Sequence, residues 1–153
     1  MPRRGPVLGA KVVAAILLGT AATLVAVAVT AAGVLGGAAL TGETADWTGS
    51  GDAVTSAVLI NVLNLLMAVG LGALAGSTAV GLVAYYALPT GWAIAGPAVF
   101  GRHAEWLDVF DAFSQIAVQE VTTSTPKMAV ALTVWVVLPL VAGVVVSLRR
   151  EVK

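Results

Sequence analysis

Apolar positions along this 153-residue chain gather into four long stretches, near Val12 to Gly37, Val54 to Gly76, Ala79 to Phe100 and Met128 to Leu148, which charged residues scarcely interrupt. Each holds about 20 residues or more, and at ~1.5 Å rise per residue a helix of that length crosses a hydrocarbon core roughly 30 Å thick. Backbone polar groups find no water in lipid, so they must pair within the segment, which makes each stretch a helix. The pattern predicts an all-α fold, a polytopic membrane helical bundle of four transmembrane helices forming a single domain over residues 1–153. A fifth element of another kind lies between the third and fourth spans. Trp106, Val109, Phe110, Phe113, Ile116 and Ala117 recur at helical spacing, with Glu105, Asp108, Asp111 and Gln115 on the other side. This predicts a short external amphipathic helix over about 104–119. Its acidic polar face suits docking on the bundle's own rim better than contact with anionic lipid.

Hydrophobic residues make up 59% and charged residues 10% of the chain, against about a quarter charged in soluble domains. Membrane lipid is thus its first partner. Eight basic residues balance eight acidic ones, which leaves no general attraction to nucleic acid. The absence of cysteine removes disulfides, thiolate metal sites and a thiol nucleophile. The basic start followed by about 25 apolar residues is too long for a signal core and reads as a retained first span. Charge position then sets topology. Arg3, Arg4 and Lys11 precede the first span and Arg149, Arg150 and Lys153 follow the last, so both termini are expected in the cytoplasm of a multi-pass protein of the cell (plasma or inner) membrane. The acidic connections Ala38 to Ala53 and Gly101 to Lys127 then face outward, and the short Gly76-Ser77-Thr78 turn faces inward. Glycine and threonine after Trp47 make the first connection flexible, with Asp52 or a neighbour available to cap the second helix.

Polar and small residues inside the spans are the candidate functional positions. Asn61 and Asn64 share a face with Ala57, Ala68 and Gly72; an asparagine amide facing lipid would go unpaired, so these two either bond across helices or line a hydrated path. Tyr85 and Tyr86 near the middle of the third span are further path candidates. Pro89 removes a backbone donor just beyond them, which predicts a kink, as does Pro139 in the fourth span. Pro97 with Gly96 is expected to end the third helix. Gly33 with Gly37, and Gly72 with Gly76, have the small-xxx-small spacing that lets helices approach closely. Thr122 to Pro126 is expected to break the chain, with Ser124 or Thr125 capping the last span and Pro126 in its first turn. Trp47, Trp92, Trp106 and Trp135 fall in the outer half, as aromatic anchors do.

Catalytic chemistry is missing from the pattern. The central portions of the spans carry no Asp, Glu, His, Arg or Cys, so neither an activated nucleophile nor a buried proton carrier is expected there. His103 sits beside Arg102 and Glu105 as a solvated interfacial side chain without companion ligands. No glycine-rich phosphate loop ending in Lys and Ser or Thr is present, so no nucleotide hydrolysis of that type and no cofactor are expected.

Three stretches resemble a known family. Pro2-Arg3-Arg4-Gly5-Pro6-Val7-Leu8-Gly9-Ala10-Lys11 resembles the lead into the third helix of ABC-2 type exporter permeases. Val69-Gly70-Leu71-Gly72-Ala73-Leu74-Ala75-Gly76-Ser77-Thr78 is similar to their turn between the fourth and fifth helices, and Trp135-Val136-Val137-Leu138-Pro139-Leu140 with Arg149-Arg150 to their final helix. The resemblance implies the C-terminal portion of such a permease, lacking the first two helices. An Arg often found at the middle cytoplasmic turn is replaced here by Gly76-Ser77. It also implies a translocation path in which Asn61, Asn64, Tyr85 and Tyr86 would take part. The implied partners are a separate ATP-binding cassette ATPase subunit and a second permease subunit or homodimer. A noncatalytic membrane scaffold or regulatory subunit is the alternative that the residues leave open. Accessibility labelling should find Arg4 and Arg150 on the same side of the membrane; opposite sides would overturn the four-span topology.

Overall fold

The computed structural model describes residues 4–118 and 121–149, which contain six α-helices and no strand. Three long helices come first: α1 (Arg4–Thr41), α2 (Ser50–Ala75) and α3 (Thr78–Phe100). A 3-10 segment (Gly101–Leu107) leads into the short α4 (Val109–Val118). The last crossing is composite, running through α5 (Val121–Leu132), a π-helical segment (Thr133–Val137) and α6 (Leu138–Arg149). Four stretches are long and apolar enough to cross a membrane: Gly9–Thr41, Ser50–Ala75, Thr78–Leu107 and Pro126–Ser147. The protein is an all-α membrane helical bundle.

Helix α2 is the axis of the bundle. It touches α1, α3, α4, α6 and the π segment, and its most extensive contact is with α6. Met67 and Leu71 of α2 meet Val136 of the π segment in a buried core, with Leu63, Leu66, Tyr85, Leu132, Trp135 and Leu140 packed around it. Helix directions follow from the contacts. Gly19 and Thr23 of α1 lie beside Leu65 and Asn61 of α2, so the two run antiparallel. Gly72 beside Gly81 makes α2 and α3 an antiparallel hairpin, whereas Gly70 beside Leu140 and Ala73 beside Gly143 make α2 and α6 parallel. The start of α1, the turn at Gly76-Ser77 and the end of α6 therefore share one end of the bundle.

Close approach of backbones explains why glycine occupies several of these crossings. A Cβ on Gly81 would lie 2.5 Å from the Gly72 Cα, and one on Gly70 would lie 2.7 Å from the Leu140 amide nitrogen. Gly143 closes the same α2–α6 crossing, where a Cβ would meet the Ala73 Cβ at 2.8 Å. Lipid tails are as apolar as leucine, so helix association in a bilayer relies on such packing rather than on escape from water. Gly76 has a different task. With φ 68° it adopts the left-handed conformation that ends α2, its N–H bonding the Gly72 carbonyl at 3.1 Å, and α3 begins two residues later.

Several boundaries differ from the sequence reading, each for a local reason. The amphipathic segment is two elements, because Asp108 is extended and its Oδ1 accepts the N–H groups of Phe110 (2.9 Å) and Asp111 (3.1 Å), capping a helix that starts at Val109. Helix α3 runs through Pro89 and Pro97 to Phe100, where Gly101, with φ 54°, closes it. The last crossing starts earlier than a cap at Ser124 or Thr125, since the backbone from Val121 is already helical. Asp52 lies within the first turn of α2, which Gly49 precedes with no side-chain cap. Pro139 is preceded by a π turn, in which the Leu138 N–H reaches the Thr133 carbonyl. That wider turn accommodates a proline that would otherwise crowd a carbonyl in the preceding α-helical turn.

Gly81→Ala should lower the stability of the detergent-solubilised protein by about 1–3 kcal/mol, the range of overpacking a fitted contact, because backbone, not a flexible side chain, stands in the way. Gly33→Ala, where the added methyl meets nothing within 4 Å, should leave the unfolding transition unchanged or slightly raised. Equal losses in both variants would show that the α2–α3 approach is not specific.

Candidate functional site

Inside the bundle the polar residues of α2 act as two bolts. Asn61 donates from Nδ2 to the Thr23 hydroxyl of α1 at 2.9 Å, and Thr23, only 2% exposed, in turn donates to the Gly19 carbonyl at 2.8 Å. Asn64 accepts through Oδ1 from the Tyr85 hydroxyl of α3 at 2.8 Å, and its Nδ2 donates to the Ile60 carbonyl at 3.0 Å. Positions three apart on a helix point about 60° from one another. That offset lets one asparagine reach α1 and the other α3, so neighbouring residues on one helix tie down helices on both sides.

A second set of bonds holds the 3-10 segment. The Trp92 indole N–H of α3 donates to the Ala104 carbonyl at 3.0 Å, and the Trp135 indole N–H of the π segment donates to the Leu107 carbonyl at 2.7 Å. Trp92 also stacks on Phe100, ring centroids 5.3 Å apart. Glu105 pairs with Lys127, joining the same segment to α5. Ala104, Val109, Ala112 and Ile116 are buried, so α4 and its lead-in sit on the bundle, while Trp106 and Phe110 project outward. At the same end, Asp46 Oδ1 accepts from both the amide and the hydroxyl of Thr48, which closes the α1–α2 loop and holds its carboxyl below the usual carboxylate range.

The other sequence candidates fall in different settings. Tyr86 packs edge-on against Tyr85 (centroids 4.8 Å apart) and is 65% exposed on the outside of the bundle. Pro89 is buried within α3. Gly72 forms the α3 crossing, Gly76 serves the turn, and Gly33 and Gly37 have no contact a methyl would disturb. Residues that sequence reasoning did not single out complete the arrangement: Thr23, Gly70, Gly81 and Gly143. Gly81 was readable in principle, since a turn at 76–77 sets it opposite Gly72. Thr23 needed the tertiary structure, because several threonines in these helices bond only their own carbonyls four residues back, as Thr20 and Thr133 do.

Chemically the arrangement positions and fastens. Among the described residues no group of three or more His, Cys, Asp or Glu could hold a metal ion. The paired groups of the two bolts are neutral amides and hydroxyls. No protein-family model, curated protein or solved structure matches the chain.

Tyr85→Phe removes one donor and leaves the Asn64 carbonyl without its partner on α3. A loss of about 0.6–2 kcal/mol is expected in membrane or micelle, the range for interhelical hydrogen bonds there, with Asn61→Ala giving a loss of similar size at the α1 contact. A double variant whose loss equals the sum of the two singles would show two independent bolts, read by unfolding in mixed micelles.

Proposed function

We propose that the chain is the non-hydrolysing, membrane-spanning permease subunit of an ABC exporter, acting with a second permease subunit or a second copy and driven by a separate ATPase. The observation that carries this reading is the one-sided packing of α1. It contacts chiefly α2 and leaves Gly33, Gly36 and Gly37 unfilled, a strip of small residues that lets a second helix approach closely. A helix this open along the bundle's flank suits a subunit that completes its surface within a larger membrane assembly. The resemblance of the three sequence stretches to exporter permeases supplies the class, and the lack of Asp, Glu, His, Arg and Cys in the central portions of the spans supports an energy source on a partner. On this reading both termini and the Gly76-Ser77 turn face the cytoplasm, where the ATPase would dock.

One observation favours a second reading, a membrane scaffold or regulatory subunit. The amides of Asn61 and Asn64 and the Tyr85 hydroxyl already bond within the chain, as in a fastening role rather than a hydrated path. Purification from native membranes in mild detergent separates the possibilities. Recovery with a nucleotide-binding subunit is the expected result, and recovery without one would remove the exporter reading. Within such a complex, Asn61→Ala with Asn64→Ala should reduce flux while the complex stays assembled if these residues serve a path; for a scaffold, assembly itself should fail.

A further inference from the structure

Helices α1 and α2 meet closely at Gly19–Leu65 and at the Thr23–Asn61 bond, and beyond that bond they enclose a groove of about 310 Å³. Ala26, Ala53 and Ala57 line its walls, Thr23 and Asn61 form its floor, and Trp47 and Ser50 stand at its mouth. The lining is overwhelmingly apolar.

We propose that this groove is a binding site for one acyl chain of a membrane lipid, entering from the leaflet on the Trp47 side. Its depth matches that occupant. From Ser50 at the start of α2 to Asn61 is eleven residues, or ~16 Å at helical rise, close to half of a hydrocarbon core roughly 30 Å thick. The groove therefore spans one leaflet and stops near the midplane. Its volume matches too. An apolar cavity of about 150 Å³ takes a benzene ring, so twice that volume takes a dozen or so carbons, which over one leaflet's depth is a single hydrocarbon chain. A helix about 10 Å across could insert no more than a ridge of side chains. Small alanine side chains keep the walls apart, the Thr23–Asn61 bond closes the inner end, and Trp47 stands at the helix end, where an amphipathic ring meets the headgroup level. A tail seated there would fill the wedge between α1 and α2 and supply the packing that those walls lack.

This site requires only the bilayer and does not rest on the exporter reading; a chain that co-purifies with an ATPase while its groove takes no lipid would separate the two. The test uses the full chain in phosphatidylcholine vesicles doped with a phospholipid carrying a photoreactive diazirine midway along one tail. Peptides spanning Ala26 and Ala53 to Ala57 should label several-fold more strongly than the peptide around Ile94, which is 75% exposed on α3. Ala57→Trp, or the milder Ala53→Leu if the first misfolds, should reduce groove labelling several-fold and leave labelling at Ile94 unchanged. Labelling that merely follows exposure, or that persists in both variants, would overturn the site. So would efficient disulfide formation between two copies of an Ala57→Cys variant in membranes, which would place a second chain's helix in the groove.

Discussion

Everything in this bundle hangs on polar groups that lipid cannot solvate. Backbone amides are satisfied within helices, and hydroxyls of Thr20, Thr23, Thr55 and Thr133 bond the carbonyl four residues back. The asparagine amides cannot be served so locally on both sides, so they reach neighbouring helices. Because both asparagines lie on α2, the helix that carries them becomes the one against which the others are registered. The core around Met67, Leu71 and Val136 adds dispersion contacts on the same axis.

Two kinds of contact divide the work. Hydrogen bonds are few and directional, so they set rotation and register: Asn61 against Thr23, Asn64 against Tyr85, Trp135 against Leu107. Glycine crossings set distance. A methyl group on Gly81 would strike the Gly72 backbone and one on Gly70 the Leu140 backbone, and backbones that near one another gain contact along their whole crossing. The π turn before Pro139 belongs to both. It relieves the proline, and it lies where Trp135 presents its indole N–H to the 3-10 segment.

The exposed surface has the inverse logic of a water-soluble domain. Large apolar side chains such as Leu18, Val29, Val83 and Ile94 face outward and the hydroxyls of Thr23 and Ser56 are buried. Outward apolar side chains are simply solvated by lipid tails, so exposure there costs nothing. What distinguishes the α1–α2 side is shape: an open wedge above a closed hydrogen bond, with alanines where a filled interface would carry larger groups.

Hydropathy alone determined that there would be four crossings, because a run of some twenty apolar residues has no other low-energy arrangement in lipid. The periodicity of Trp106, Val109, Phe110, Phe113, Ile116 and Ala117 likewise told of an amphipathic piece docked on the rim, and the two asparagines told of a face turned toward protein. What the linear pattern left open was decided by partners distant in the chain. Thr23 is one threonine among several until Asn61 meets it, 38 positions away. Gly33 and Gly70 look equally small in sequence, yet one faces open space and the other lies against the α6 backbone. The indoles of Trp92 and Trp135 fit an interfacial belt by position, and only the fold reveals them as donors to Ala104 and Leu107. Hydrophobicity is a property of each residue and survives in the sequence; complementarity is a property of pairs and exists only once the helices have packed.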